Sequence, residues 1–286
     1  MTRVRNSSRS AFLALTFTLS ITAQQLTLPN QSDSVHFAVI GDNGTGQRPE
    51  YEVAERLVAL REKFSFDFII MMGDNLYGGE SPKDFAKKFE RPYKTLLDAG
   101  VKFYACLGNH DDPDNQRKYE SFNMRGDRYY TFKMKDVRFL SLDSNYMDPK
   151  QLDWLENQLR TSNSPWKIAY FHHPLYSSGA THGPSVDLRR VIEPLFIRYG
   201  VNVVFSGHEH FYERLKPQNG IHYFISGSAG QLRRGDIRPS NVSAVGFDKD
   251  NSFMLVEIAG DKLYFQTISR TGESIDSGVI ERSKSK

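Results

Sequence analysis

Five times along this chain a short run rich in Val, Ile and Phe stops abruptly at polar residues able to do chemistry. The runs are VHFAVIGDNG from Val35, FDFIIMMGDN from Phe66, VKFYACLGNHD from Val101, WKIAYFHHP from Trp166 and VNVVFSGHEH from Val201. Unbroken apolar runs of this length read as strands covered on both faces. Helical stretches separate them. The segment from Pro49 spaces Val53, Leu57 and Leu60 along one face, and Asp148 with Pro149 supplies an N-cap and first-turn pair. A helix from Pro184 should close at Gly200 and be kinked or split by Pro194, while one from Ser81 should break at Pro92. The segments from Arg128 and Ser252 read as hairpins, the second turning at Gly260–Asp261. Alternating strands and helices with added antiparallel strands predict a layered α/β (α+β) domain.

The first 23 residues are of another kind. Arg3, Arg5 and Arg9 precede the apolar run Ala11 to Phe17, and a small residue, Ala23, ends the segment. This is the pattern of an export signal, too short and too interrupted for a membrane span. Residues 24–34 read as a polar linker, and a single domain follows over 35–283. The leader carries three of the 37 basic residues and none of the 34 acidic ones, so the remainder is close to neutral. That balance indicates no nucleic-acid surface. The single cysteine, Cys106, sits in an apolar run and reads as a buried small residue; no internal disulfide can form. Sequons at Asn43 and Asn241 are short patterns that arise by chance.

Open α/β sheets put their sites just beyond the carboxyl ends of strands. Here those positions hold Asp42; Asp74 with Tyr77; Asn109, His110 and Asp111; His172 and His173; and His208 and His210. Oxygen and imidazole donors without thiolate suit ions such as Fe, Mn and Zn. The glycines before them, Gly41, Gly73, Gly108 and Gly207, are expected to make the tight bends that let a ligand approach. Each piece is weak singly, and their conjunction at five strand ends is strong.

GDNG, GDNLY, GNHD, FHH and GHEH, in this order, resemble the five blocks of the calcineurin-like metallophosphoesterases, and among these the purple acid phosphatases of the small, single-domain, tartrate-resistant type. The likeness runs from about Val35 to Ser269 and departs in the fourth block, where Ala169 stands for the family's Val. Most of the wider superfamily has Asp-x-His in the first block; here that position is Gly44, while Tyr77 appears three residues after Asp74. The resemblance implies a four-layer α/β/β/α sandwich of two mixed sheets. It implies a ferric ion held by Asp42, Asp74, Tyr77 and His210. A divalent ion (Fe, Zn or Mn) would be held by Asp74 as a bridge with Asn109, His172 and His208. The implied reaction is phosphomonoester hydrolysis by metal-bound hydroxide, with an acidic optimum. His110 and His182 would bind phosphate or protonate the leaving group, and His173 and Asp111 would lie in an outer shell or touch substrate. Rival readings are a phosphodiesterase or nucleotide-pyrophosphate hydrolase on the same site, a non-catalytic protein with a relic site, and a redox role for the iron pair. The expected protein is a secreted or periplasmic monomer, without a membrane anchor once its leader is cleaved, acting on a small phosphate ester. His36 and His222 read as packing or surface residues, and Glu213 and Arg214 as part of a structural salt link; the Arg233–Asp236 loop reads equally as solvated or as facing the pocket with an Arg for phosphate, and is left out of the site.

Overall fold

All five apolar runs are strands, and their order along the chain fixes two sheets. In the computed structural model, which describes Met1 and residues 26–282, the strands are β1 (Val35–Ile40), β2 (Phe68–Met71), β3 (Lys102–Ala105), β4 (Tyr130–Met134), β5 (Val137–Ser141), β6 (Trp166–Tyr170), β7 (Val203–Ser206), β8 (Tyr212–Leu215), β9 (His222–Ser226), β10 (Ser243–Phe247), β11 (Ser252–Ala259), β12 (Lys262–Ser269) and β13 (Ser274–Glu281). Beyond Met1, the export signal read at residues 1–23 lies outside the described residues. One sheet runs β13-β12-β11-β1-β2-β3 and the other β10-β8-β9-β7-β6-β5-β4. Both are mixed: β1, β2 and β3 are parallel, as are β5, β6, β7 and β9, with antiparallel strands at the flanks.

Alternation along the strands explains why the runs are apolar throughout. Phe139, Ile168, Val203, Phe205 and Phe224 point toward the first sheet, whereas Leu140, Ala169, Val204 and Ile225 point away toward helices. Between the sheets Phe37 of β1 meets Phe139 of β5 edge-on at 5.4 Å, and Phe224 of β9 meets Phe265 of β12 at 5.0 Å. Leu155 and Leu159 from helix Pro149–Thr161, with Leu188, Ile192 and Phe196 from helix Val186–Tyr199, cover the outer face of the second sheet. Helix Arg48–Arg61 buries Val53, Ala54, Leu57 and Leu60 into the first sheet's core. The layers are therefore α/β/β/α, as the resemblance implied.

Local signals behave largely as read. Asp148 caps its helix by accepting from the Gln151 amide at 2.7 Å, and Ala259 faces Lys262 across the Gly260–Asp261 turn. Helix Pro82–Phe85 opens into a wide turn over Ala86–Glu90 and is interrupted before Lys94–Asp98, which places the break at Pro92. Pro194 neither splits nor ends its helix, which runs on to Tyr199 and closes at Gly200 with φ +68°. Packing of Leu188, Ile192 and Phe196 on either side holds the turns that the missing N–H would loosen. Arg214 does form a salt link, but with Asp276 at 2.7 Å, and Glu213 faces the other way to accept from the Ser178 amide. Cys106 is buried in the core, and Asn43 is also fully buried, leaving no room there for a glycan.

Residues 27–31, within the stretch read as a linker, are tied down. Thr27 donates its amide to Gln266, and the amides of Asn30 and Gln31 donate to buried Glu257 at 2.6 and 2.8 Å. Ser34 adds a hydroxyl donor to the same carboxylate, and His36 lies 3.5 Å from it. Glu257→Ala strips these charge-assisted bonds and should lower the unfolding free energy by about 2 kcal/mol. Denaturant unfolding measures this, and hydrogen exchange should speed up at Asn30 and Gln31; unchanged exchange there would refute the tether.

Candidate metal centre

The residues singled out at the strand ends converge on one edge of the sandwich, and each sheet contributes a different chemistry. Asp42, Asp74 with Tyr77, and Asn109 follow β1, β2 and β3 of the first sheet; His172, His208 and His210 follow β6 and β7 of the second. Among the bonds that cross between the halves are His172 Nδ1 to the Met72 carbonyl at 2.8 Å and the His208 amide to Asp42 Oδ2 at 2.9 Å.

The backbone is strained at the donors themselves. Asp42, Asp74 and His208 adopt positive φ values of 53°, 50° and 68°. Such conformations cost non-glycine residues about 1–3 kcal/mol each and persist where surrounding structure enforces them. The preceding glycines were expected to make these bends, yet only Gly73 among the four has positive φ. Their role is to lack a side chain. A Cβ on Gly108 would stand 2.1 Å from Asp74 Oδ1, and one on Gly207 would stand 2.5 Å from Asp42 Oδ2. Gly44 is closed more firmly still, since a Cβ there would lie 1.8 Å from the Asn75 carbonyl oxygen. No imidazole fits at that position.

Tyr77 reaches the donors instead. Its hydroxyl is 3.1 Å from Asp42 Oδ1 and 3.1 Å from His210 Nε2, and His210 Nε2 is 3.4 Å from Asp42 Oδ1. Asp42, Asp74 and His210 offer donor atoms within 4.8 Å of one another, as do His172, His173 and His208. Asp74 Oδ1 also lies 3.4 Å from His172 Nε2, so this carboxylate touches both groups.

Proton counting tests whether the set suits a cation. A carbonyl only accepts, so His172 Nδ1 carries the ring proton and Nε2 presents a lone pair. That lone pair faces Asn109 Oδ1 at 3.0 Å and His208 Nδ1 at 3.1 Å. Acceptors outnumber protons, which is the arrangement a bound cation relieves. Charge states agree. Burial pushes Asp42 up to about 6 despite the pull of His210, and burial with neighbouring imidazoles drives His208 down to about 2. Burial and then His173 hold His172 far below its ordinary value. Imidazoles kept neutral are imidazoles ready to bind metal. Burial, then the charges of Asp42 and Asp74, raise the Tyr77 phenol, so only a strong Lewis acid would make it a phenolate.

The remaining candidates are placed as follows. His110 is exposed at the rim with its ring 4.9 Å from Tyr77, and its amide donates to Asp74 Oδ1 at 3.0 Å. His182 is exposed on the other flank, its ring 4.3 Å from His208 and 6.5 Å from His210. Burial, Arg233 and His210 lower its pKa, which disfavours the expected imidazolium. His173 lies closer in than an outer residue, its ring 4.5 Å from His208, with Nδ1 bonded to the Ser144 hydroxyl at 2.9 Å. Asp111 accepts from the amides of Leu76 and Gly108 and from the side chains of Asn75 and Gln116, so it ties loops together. Burial and the Asp74 charge push its carboxyl up to about 7. The Arg233 amide bonds the His210 carbonyl at 2.9 Å, so that loop starts beside the centre.

Glu209 was not singled out in the sequence and matters here. It is fully buried, and Oε1 accepts from Ser177 Oγ at 2.9 Å and from the Gly183 amide at 2.7 Å, so it holds the loop that bears His182. Burial raises its pKa. A lone acid between two strand-end histidines was the available signal, since alternate residues face opposite ways.

Comparison with known proteins agrees with the geometry. Purple acid phosphatase 17 of Arabidopsis thaliana is 26% identical, over 83% of this chain and 85% of that protein. Tartrate-resistant acid phosphatase type 5 of Mus musculus is 25% identical, over 87% and 91%. The structure described as GAP50, the anchor in the inner membrane complex of Plasmodium, superposes with a TM-score of 0.76 at 20% identity, over 88% and 90%, and so shares the fold. The sequence profile of the Calcineurin-like phosphoesterase family matches residues 35–212, more than half of the chain, and the protein belongs to that family.

Proposed function

We propose that this protein is an acid phosphatase that hydrolyses small phosphomonoesters at a dinuclear centre, with Fe(III) on the tyrosine side and Fe(II), Zn or Mn on the other. The observation that carries the proposal is Tyr77, whose hydroxyl stands 3.1 Å from both Asp42 and His210 where Gly44 leaves no space for an imidazole. Asp42, Asp74, Tyr77 and His210 would hold the ferric ion, and Asp74, Asn109, His172 and His208 the divalent one. When bound, such a pair supplies Lewis acidity toward the phosphoryl group and its attacking water. The names of the purple and tartrate-resistant acid phosphatases support the same activity.

The chain's own groups supply the rest. His110 and His182 stand exposed on opposite flanks and can reach a phosphate seated over the centre. An alkoxide is a poor leaving group, so one of them must deliver a proton to the ester oxygen. His182 suits this because Glu209 fixes its loop. A phosphate dianion, arriving beside His182, counteracts the depression of its pKa and favours the imidazolium form. On this reading residues 1–23 are an export leader and the enzyme works outside the cytoplasm. Among the described residues no helix is long and apolar enough to cross a membrane.

A non-catalytic role is the second reading, motivated by the fold shared with a protein described as an anchor. Fold alone does not carry function, and a complete set of donors argues for a working site. Elemental analysis with turnover of 4-nitrophenyl phosphate and bis(4-nitrophenyl) phosphate at pH 5 and 7 decides among them. Two bound ions and faster monoester turnover are expected. Faster diester turnover at both pH values would make it a phosphodiesterase, and no turnover with both ions bound would leave the non-catalytic reading. Tyr77→Phe should erase the visible phenolate-to-iron band; an unchanged spectrum removes Tyr77 from the centre. His182→Ala should slow alkyl esters roughly 10²–10⁴-fold and 4-nitrophenyl phosphate far less. Equal losses on both would assign His182 to phosphate binding.

A further inference from the structure

Beside the candidate centre lies a cavity of about 500 Å³ lined by Gly108, Asn109, Asp111, Arg128, Asn145 and His173, among others. Asn109 is one of the donors assigned to the divalent ion and the His173 ring packs 4.5 Å from His208, so the cavity adjoins the divalent-ion side of the centre. Pro113 and Gly108 apart, every residue that lines it carries a polar side chain. The His173 imidazole is the one aromatic ring among the lining residues.

Arg128 is the permanent cation of this lining. Its Nε donates to Asp143 Oδ2 at 2.7 Å, and Asp143 is buried. That carboxylate is itself fixed, since Oδ1 accepts from the amide and side chain of Asn145, both at 3.0 Å. The guanidinium is thus anchored through Nε, while its two terminal nitrogens have no partner among the described residues. Asp111 shares the lining, but its oxygens are turned to Leu76, Gly108 and Gln116. A guanidinium anchored at Nε with free terminal N–H groups matches a planar carboxylate or a phosphate.

From this juxtaposition we infer that the cavity is the leaving-group subsite and that it selects phosphomonoesters whose alcohol is small, polar and itself anionic. The inference rests on the phosphatase reading and narrows its substrate class away from aryl phosphates.

A matched set of esters tests it: 2-phosphoglycerate, glycerol 1,2-bisphosphate and glycerol 2-phosphate, the last with an uncharged alcohol. The metal-loaded enzyme should show kcat/KM at least roughly tenfold higher for a charged ester than for glycerol 2-phosphate, as expected of one charge-assisted contact. Preference for the first or the second charged ester distinguishes a carboxylate from a phosphate. Arg128→Gln should bring the ratio near one, and Arg128→Lys should keep part of it. A wild-type ratio near one, or the same ratio in wild type and Arg128→Gln, overturns the subsite. In the metal-free protein, 2-phosphoglycerate should shift the Arg128 Nε–H resonance more than glycerol 2-phosphate does. An enzyme that hydrolyses no ester refutes the phosphatase reading, and this resonance then decides the anion pocket separately: equal shifts would overturn it as well.

Discussion

Oxygen donors arrive from one sheet and imidazoles from the other, and the distance between those sheets is the constraint on which the site depends. Stacked sheets stand roughly 10 Å apart, a gap filled here by interlocking phenyl rings such as Phe37 against Phe139. At the carboxyl edge the filling changes from rings to polar side chains, and the His172–Met72 and His208–Asp42 bonds stitch the two halves together. The hydrophobic core therefore sets the span that the donors close. A core substitution that altered sheet separation would misplace every donor at once.

The edge itself is locally unfavourable. Three donors sit in left-handed backbone conformations, two buried carboxylates lie side by side, and histidine lone pairs face acceptors. None of this stabilises a chain without ions. It persists because glycine cradles and flanking strands leave the backbone no alternative path, and because the core supplies the compensating free energy. Concentrated strain at one edge of an otherwise consistent fold is what a working site looks like.

Much of this was legible in the sequence because it depends on short-range pattern. Apolar runs ending in Asp, Asn or His gave the strands and their polar ends, and Asp148 and Gly200 marked helix boundaries correctly. What could not be read were relations between distant positions. Arg214 lies next to Glu213 in sequence but pairs with Asp276, 62 residues away on β13. Asp111 follows His110 yet serves Leu76 and Gln116, because a buried carboxylate bonds whichever amides the loops present. Residues 27–31 have linker composition, but Glu257 across the sheet gives their amides a partner. Glycine was credited with bends that Asp42, Asp74 and His208 make themselves, since close approach and backbone curvature leave the same mark in a sequence.

The GHEH block contains one more lesson in its third letter. Glu209 occupies what looks like a spacer between two histidines, but its carboxylate is a strut reaching back to Ser177 and Gly183. Gly179 has no side chain because that strut passes through the space where one would be, 2.2 Å from where a Cβ would stand. The turn bearing His208 and His210 and the loop bearing His182 are consequently geared together. Neither can be redesigned alone, and a shorter acid at this tooth would disengage them while leaving every residue of the metal set in place.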